Sequence, residues 1–173
     1  MKKIAVTILF FLFLNTAHAA EIAIVDVEQI IENSIVLKNV KKQLEKKKTQ
    51  LQKEIEKKEA ELNTKRQNII NQSSVISQEA MEKKMEIFQK EVFNFQQYMK
   101  STEENMKKSH QDAIMEINDE IKHIVKKMRN KEGYKFDIAI SSSALIYSKE
   151  NLDISAEVLR TLNKNLRNIK INL

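Results

Sequence analysis

The sequence predicts a mainly α protein with a small β-body. A long antiparallel, coiled-coil-like helical hairpin, or tentacle, is inserted in a small α+β oligomerisation body. Three observations carry this reading. The 173 residues include one glycine and no proline, the two residues most costly inside helices. Charged residues make up 31% and aromatics 6%, which suits an extended helical protein better than a compact globule. Apolar residues recur at heptad spacing through most of the chain, with one polar interruption.

Residues 1–19 read as an export signal. Lys2 and Lys3 precede a charge-free, apolar-rich run from Ile4 to Leu14, and Ala17-His18-Ala19 supplies a small-x-small cleavage pattern. Eleven residues are too few to span ~30 Å of hydrocarbon. Ala20 is then the first mature residue, and the net charge falls from +6 to +4 as two lysines leave. The di-lysine start and short apolar run point to the bacterial periplasm, with a surface or secreted location the alternative. An exported chain without cysteine is no disulfide scaffold.

Residues 20–26 read as a buried strand, and Asp26 as the N-cap of a helix, with Gln29 completing a capping box. From Val27 to Glu132 the pattern is helical almost throughout. In the first arm Leu37, Leu44 and Leu51 share one heptad position, and Ile55, Leu62, Ile69 and Ile76 the other. Lys48, Lys58 and Lys65 fall where the seam calls for apolar residues, which weakens it. The second arm is better formed, with Met81, Met85, Phe88, Val92, Phe95 and Met99 alternating at +4 and +3, and Ile114 to Met128 continuing in shifted phase. The polar segment Asn71–Ser77 is the candidate reversal, and Ser77 can cap the second arm. The tip is expected near 71–79.

Gly133, the lone glycine, follows the second arm where a left-handed C′ residue ends a helix. Tyr134 to Ile140 reads as a strand, Ser141–Ser143 as a turn and Ala144 to Tyr147 as a second strand. Ser155 is the expected N-cap of a last helix carrying Val158, Leu159, Leu162 and Leu166 on one stripe. The domains are thus a signal peptide (1–19), a body (20–37 and 132–173) and a tentacle (38–131). A body of about 60 residues is marginal alone, and three strands leave two open edges. Both argue for oligomerisation, through Ile22, Ile24, Phe136, Ile138, Ile140 and Leu145.

The composition also excludes function classes. One glycine cannot build a phosphate loop, a dinucleotide fingerprint or a nucleophile elbow. His110 and His123 are thirteen apart without cysteine, which is not metal-ligand spacing. The acid pairs Glu103/Glu104 and Asp119/Glu120 belong to helix surface. No enzyme, cofactor or metal site is expected. Residues 38–66 carry eleven basic and five acidic side chains. Nucleic acid is disfavoured by the export signal and by four Arg against 26 Lys.

Three segments together resemble a known family. They are Ile22-Ala23-Ile24-Val25-Asp26 leading into helix; Ile76-Ser77-Gln78-Glu79-Ala80 with Lys83-Lys84, Phe88-Gln89-Lys90-Glu91 and Phe95-Gln96-Gln97; and Gly133-Tyr134 to Tyr147, then Leu152-Asp153-Ile154-Ser155-Ala156-Glu157-Val158-Leu159 and Leu162-Asn163-Lys164. With the leader they resemble the OmpH/Skp family of periplasmic chaperones. The resemblance implies a homotrimer whose strands join in a β-body and whose tentacles surround a cavity. It implies an ATP-independent holdase for unfolded outer-membrane β-barrel proteins. The alternative is an envelope structural or adaptor coiled coil binding a folded partner.

On this reading Phe93 and Tyr98, which fall off the apolar stripe, are candidates for client contact. Met81, Met85 and Met99 suit either variable clients or the seam. Phe88 and Phe95 belong to the seam. Lys65, Arg66, Lys83 and Lys84 form a candidate basic tip, suited to acidic clients, anionic lipid or lipopolysaccharide.

Overall fold

The computed structural model describes residues 20–131 and 133–171. The expected leader, residues 1–19, lies outside them. The chain begins with strand β1 (Ile22–Val25). Asp26 then caps helix α1 (Val27–Asn33), its carboxylate accepting the Gln29 N–H at 2.9 Å. The Asp26 N–H does not turn to Gln29, as a capping box would require. It donates to Ser155 Oγ at 2.7 Å, across 129 residues of sequence.

The first arm is not one helix from Val27. It breaks at Ser34, which is fully buried with extended backbone. The Ser34 hydroxyl donates to the Ile31 carbonyl at 2.7 Å and accepts the Leu37 N–H at 3.1 Å. A serine side chain that serves backbone groups on both sides competes with the helix and re-aims it. Helix α2 (Ile35–Gln72) starts there. The turn follows at residues 73–77, within the expected tip, and Ser77 caps helix α3 (Gln78–Met128) through the Ala80 N–H at 3.3 Å. At 1.5 Å per residue, α2 and α3 are ~57 and ~77 Å long.

Gly133 has φ +97°, the left-handed region expected of it. Its place differs, because α3 ends at Met128 and Gly133 sits in the loop beyond, not at the helix C′ position. No other described residue takes a positive φ among the non-glycines. Strand β2 is shorter than expected, Ile138–Ser141, and pairs in parallel with β1 in the register Ile22↔Ile138 to Val25↔Ser141.

The second late strand, Ala144 to Tyr147, does not form. Ser142–Ala144 makes a single 3-10 turn, and Leu145 continues with extended backbone (φ −119°, ψ 141°) but no strand partner. Among the described residues the sheet therefore has two strands, not three. A bridge from Ile24 to Asp153 lies on the other edge of β1, where the Ile154 N–H reaches the Ile24 carbonyl at 3.0 Å.

Helix α4 spans Ser155–Asn165. Ser155 is its first residue and not its cap; Asp153 takes the Ser155 N–H at 2.8 Å, which frees the serine hydroxyl for Asp26. Beyond α4 the chain lies along α2, held by Asn39 on the Arg167 carbonyl (2.7 Å) and Gln43 on the Ile169 carbonyl (2.9 Å).

The core gathers where these elements meet. Ala23 and Val25 of β1, Ile30 of α1, Val36, Leu37 and Val40 of α2, and Val158 and Leu162 of α4 are buried together. From α3 they receive Ala113, Ile117, Ile121, Ile124 and Met128, spaced by three or four as one helix face requires. The hairpin is thus anchored in the same apolar cluster that supports the sheet.

Candidate functional site

Away from that base, the two arms cover each other poorly. In α3 the stripe Met81, Met85, Phe88, Val92, Phe95 and Met99 is only half-buried throughout. Ile69 is the one fully buried apolar residue of the distal arms among the described residues. The α2 seam gives that stripe an incomplete apolar partner, with Lys58 and Lys65 half-buried in it and Lys48 exposed.

A groove of about 540 Å³ results between Leu62 and Arg66 of α2 and Phe88, Val92, Phe95 and Met99 of α3. Its floor is aromatic and aliphatic. Phe93 lies outside the groove, 58% exposed.

Polar contacts replace the missing apolar seam. Lys65 pairs with Glu91 across the arms at 2.5 Å. Tyr98 donates its hydroxyl to Glu54 at 2.8 Å, also across the arms. Lys84 donates to Gln72 near the turn. The Lys65 hydrogen bond holds the Glu91 carboxyl below the usual carboxylate range, and the charge of Lys58 adds to the effect. Donation to the Glu54 carboxylate pushes the Tyr98 hydroxyl above the usual tyrosine range.

The sign for Glu91 follows from its lowered value. Its contribution to arm pairing is present above the ordinary carboxylate range and is lost as pH falls through the lowered value. Acidification below about pH 4 is therefore expected to widen the distance between labels on the two arms at the level of Lys65. Glu91→Gln is expected to remove that step. A separation that changes equally in both chains would refute the assignment.

The structure distributes the other sequence-derived candidates unevenly. Tyr98 is tied to Glu54, although 44% of it remains exposed. Met81, Met85 and Met99 lie on the half-open stripe. Of the basic tip residues, Lys65 and Lys84 have partners across the arms, Arg66 walls the groove, and Lys83 is exposed. In the body, Ile24 and Phe136 are buried within the protomer, Ile140 and Leu145 are half-buried, and Ile22 and Ile138 are exposed.

Two features were not legible as contacts beforehand. Ile146 and Tyr147 stand fully clear of the protomer, at 108% and 82% exposure. The pattern that made 144–147 a strand was their only signal. Phe88 and Phe95, read as seam, are also groove floor, opposite Leu62 and Arg66.

Among the described residues, no cluster of His, Cys, Asp and Glu could hold a metal ion, and no described helix is long and apolar enough to cross a membrane. The described residues form a small α+β body carrying a long, half-open helical hairpin. A family profile described as outer membrane protein, OmpH-like, matches residues 21–162, and the chain belongs to that family, which is one of chaperones and not of enzymes. The fold is similar to the crystal structure of an OmpH-like protein from Caulobacter crescentus, described as a candidate outer membrane chaperone. The TM-score is 0.77 at 16% identity, over 89% of this chain and 90% of that one. Among curated proteins the search finds no match.

Proposed function

We propose that the protein is an ATP-independent periplasmic holdase. It binds unfolded outer-membrane β-barrel proteins between the tentacles of a homotrimer and keeps them from aggregating. The observation that carries this reading is the half-covered apolar stripe of α3, open as a groove at Phe88, Val92, Phe95 and Met99. An unfolded β-barrel chain offers apolar residues at every second position. Many weak contacts along two long arms retain such a chain without a single tight site. Phe93, exposed beside the groove, adds a further contact.

The excess of lysine along α2 favours encounter with acidic clients. Arg66 and Lys83 are the tip cations left for anionic lipid or lipopolysaccharide, since Lys65 and Lys84 are engaged across the arms.

The trimer is supported by what the isolated protomer leaves uncovered. Among the described residues the outer edge of β2 is unpaired, Ile22 and Ile138 are exposed, and Ile146 and Tyr147 are almost uncovered. Leu145 has extended backbone, and Ile146 and Tyr147 after it are open to a neighbour.

The test is dilution of a urea-denatured β-barrel membrane protein without nucleotide, followed by light scattering. Stoichiometric protein is expected to hold scattering near baseline. Phe88→Ser with Phe95→Ser is expected to require several-fold more protein for the same suppression, while the melting of the body stays unchanged. Absence of suppression by the parent chain would sink the holdase reading. Equal suppression by the double variant would sink the groove.

A further inference from the structure

We propose that the hollow between the end of α3 and the face of α4 is a binding site for a phosphate-bearing anion. It lies at the opposite end of the hairpin from the tip and has a volume of about 450 Å³. Its walls carry four cations. Lys127 comes from the last turn of α3 and Lys131 from the turn that follows; Arg160 and Lys164 come from successive turns of α4. Ile124 and Met128, both buried, form the floor.

Helix ends explain part of this charge. Cations gather at helix C-termini, where the backbone contributes about half a negative charge. Both α3 and α4 end beside the hollow, so together they answer about one of the four cations. Glu157 answers another, pairing with Arg160 at 2.8 Å, and Glu120, which accepts from Asn165 of the same wall at 3.1 Å, answers a third. Among the described residues an excess of about one positive charge is left. Among the described residues Lys127, Lys131 and Lys164 enter no ion pair.

Lys127, Lys131, Arg160 and Lys164 are all exposed, so their donors are open to a ligand. The arrangement becomes more favourable when an anion enters. Arg160 uses one of its N–H groups on Glu157 and keeps the rest of its donor fork. Phosphate esters match in sign of charge and in acceptor geometry. The apolar floor leaves room for the carbon framework that bears the phosphate.

The test uses the full-length mature chain and inorganic pyrophosphate at constant ionic strength, with sodium chloride as the matched control. A saturable rise in melting temperature and broadening of the phosphorus resonance are expected. Lys127→Gln with Lys164→Gln removes two charge-assisted bonds and is expected to weaken binding by about tenfold or more. Lys127→Arg with Lys164→Arg keeps both charges and is expected to retain it, which separates loss of the site from loss of stability.

Vesicles identify the source of the phosphate. Co-sedimentation with phosphatidylglycerol but not phosphatidylcholine vesicles, lost in the glutamine pair, assigns the site to a lipid-borne phosphate. Pyrophosphate binding without vesicle binding assigns it to a soluble one. Failure to bind either probe, or binding that the glutamine pair leaves intact, overturns the proposal.

Discussion

If the proposed trimer forms through this segment, a chain carrying Ile146→Asp and Tyr147→Asp is expected to sediment as a monomer and the parent chain as a trimer. Both side chains stand clear of their own protomer, so their replacement removes no contact within it. Burial of each at an interface is worth about 1.5–3 kcal/mol. Losing both costs roughly 3–6 kcal/mol per interface, which is about two to four decades of association. Aspartate adds the cost of desolvating a charge. Circular dichroism of the arms is expected to match the parent chain, because the hairpin does not depend on these residues. Sedimentation of the variant as a trimer would remove the segment from the interface.

The second large effect is expected at Ile117→Ala. Ile117 is fully buried at the base of α3, in the cluster shared by β1, α1, α2 and α4. A cavity left there costs about 2–5 kcal/mol, depending on how far the neighbours relax. The urea midpoint should fall accordingly with little change in slope. Phe93→Ala serves as the contrast: at 58% exposure it should stay within about 0.5 kcal/mol of the parent. A loss under about 1 kcal/mol at Ile117 would mean that the base of the arms is not the structural centre of the protomer.

The hairpin was legible because its signals are local. Heptad spacing identifies the arms, the Ser and Asn run identifies the turn, and Ser77 caps within three residues of its own position. The failures occur where a distant partner decides. Ser34 breaks the first arm because its hydroxyl serves Ile31 and Leu37 inside a core that periodicity does not display. Ser155 looks like a cap, yet its hydroxyl serves Asp26. Residues 144–147 have strand composition and no strand partner in the protomer.

The candidate site was legible in composition more than in geometry. The seam lysines were recognised, but not that Lys65 finds Glu91 across the arms. Which phenylalanines face a groove depends on helix rotation and spacing, which the sequence leaves free. The cations at the base of α3 and α4 are separated in sequence and meet only through tertiary packing.

The parallel pairing of β1 with β2 carries a kinetic consequence. The hydrogen bond from Asp26 to Ser155 closes a span of 129 residues. Closing such a span in an unstructured chain is entropically costly, and contacts this distant slow folding. Hairpin contacts begin near the tip between residues only a few positions apart and can zip downward, each step shortening the span still open. The arms are therefore expected to fold before the sheet. On that route the chain is completed from the tip to the base, and the exposed Ile146 and Tyr147 reach their final place last.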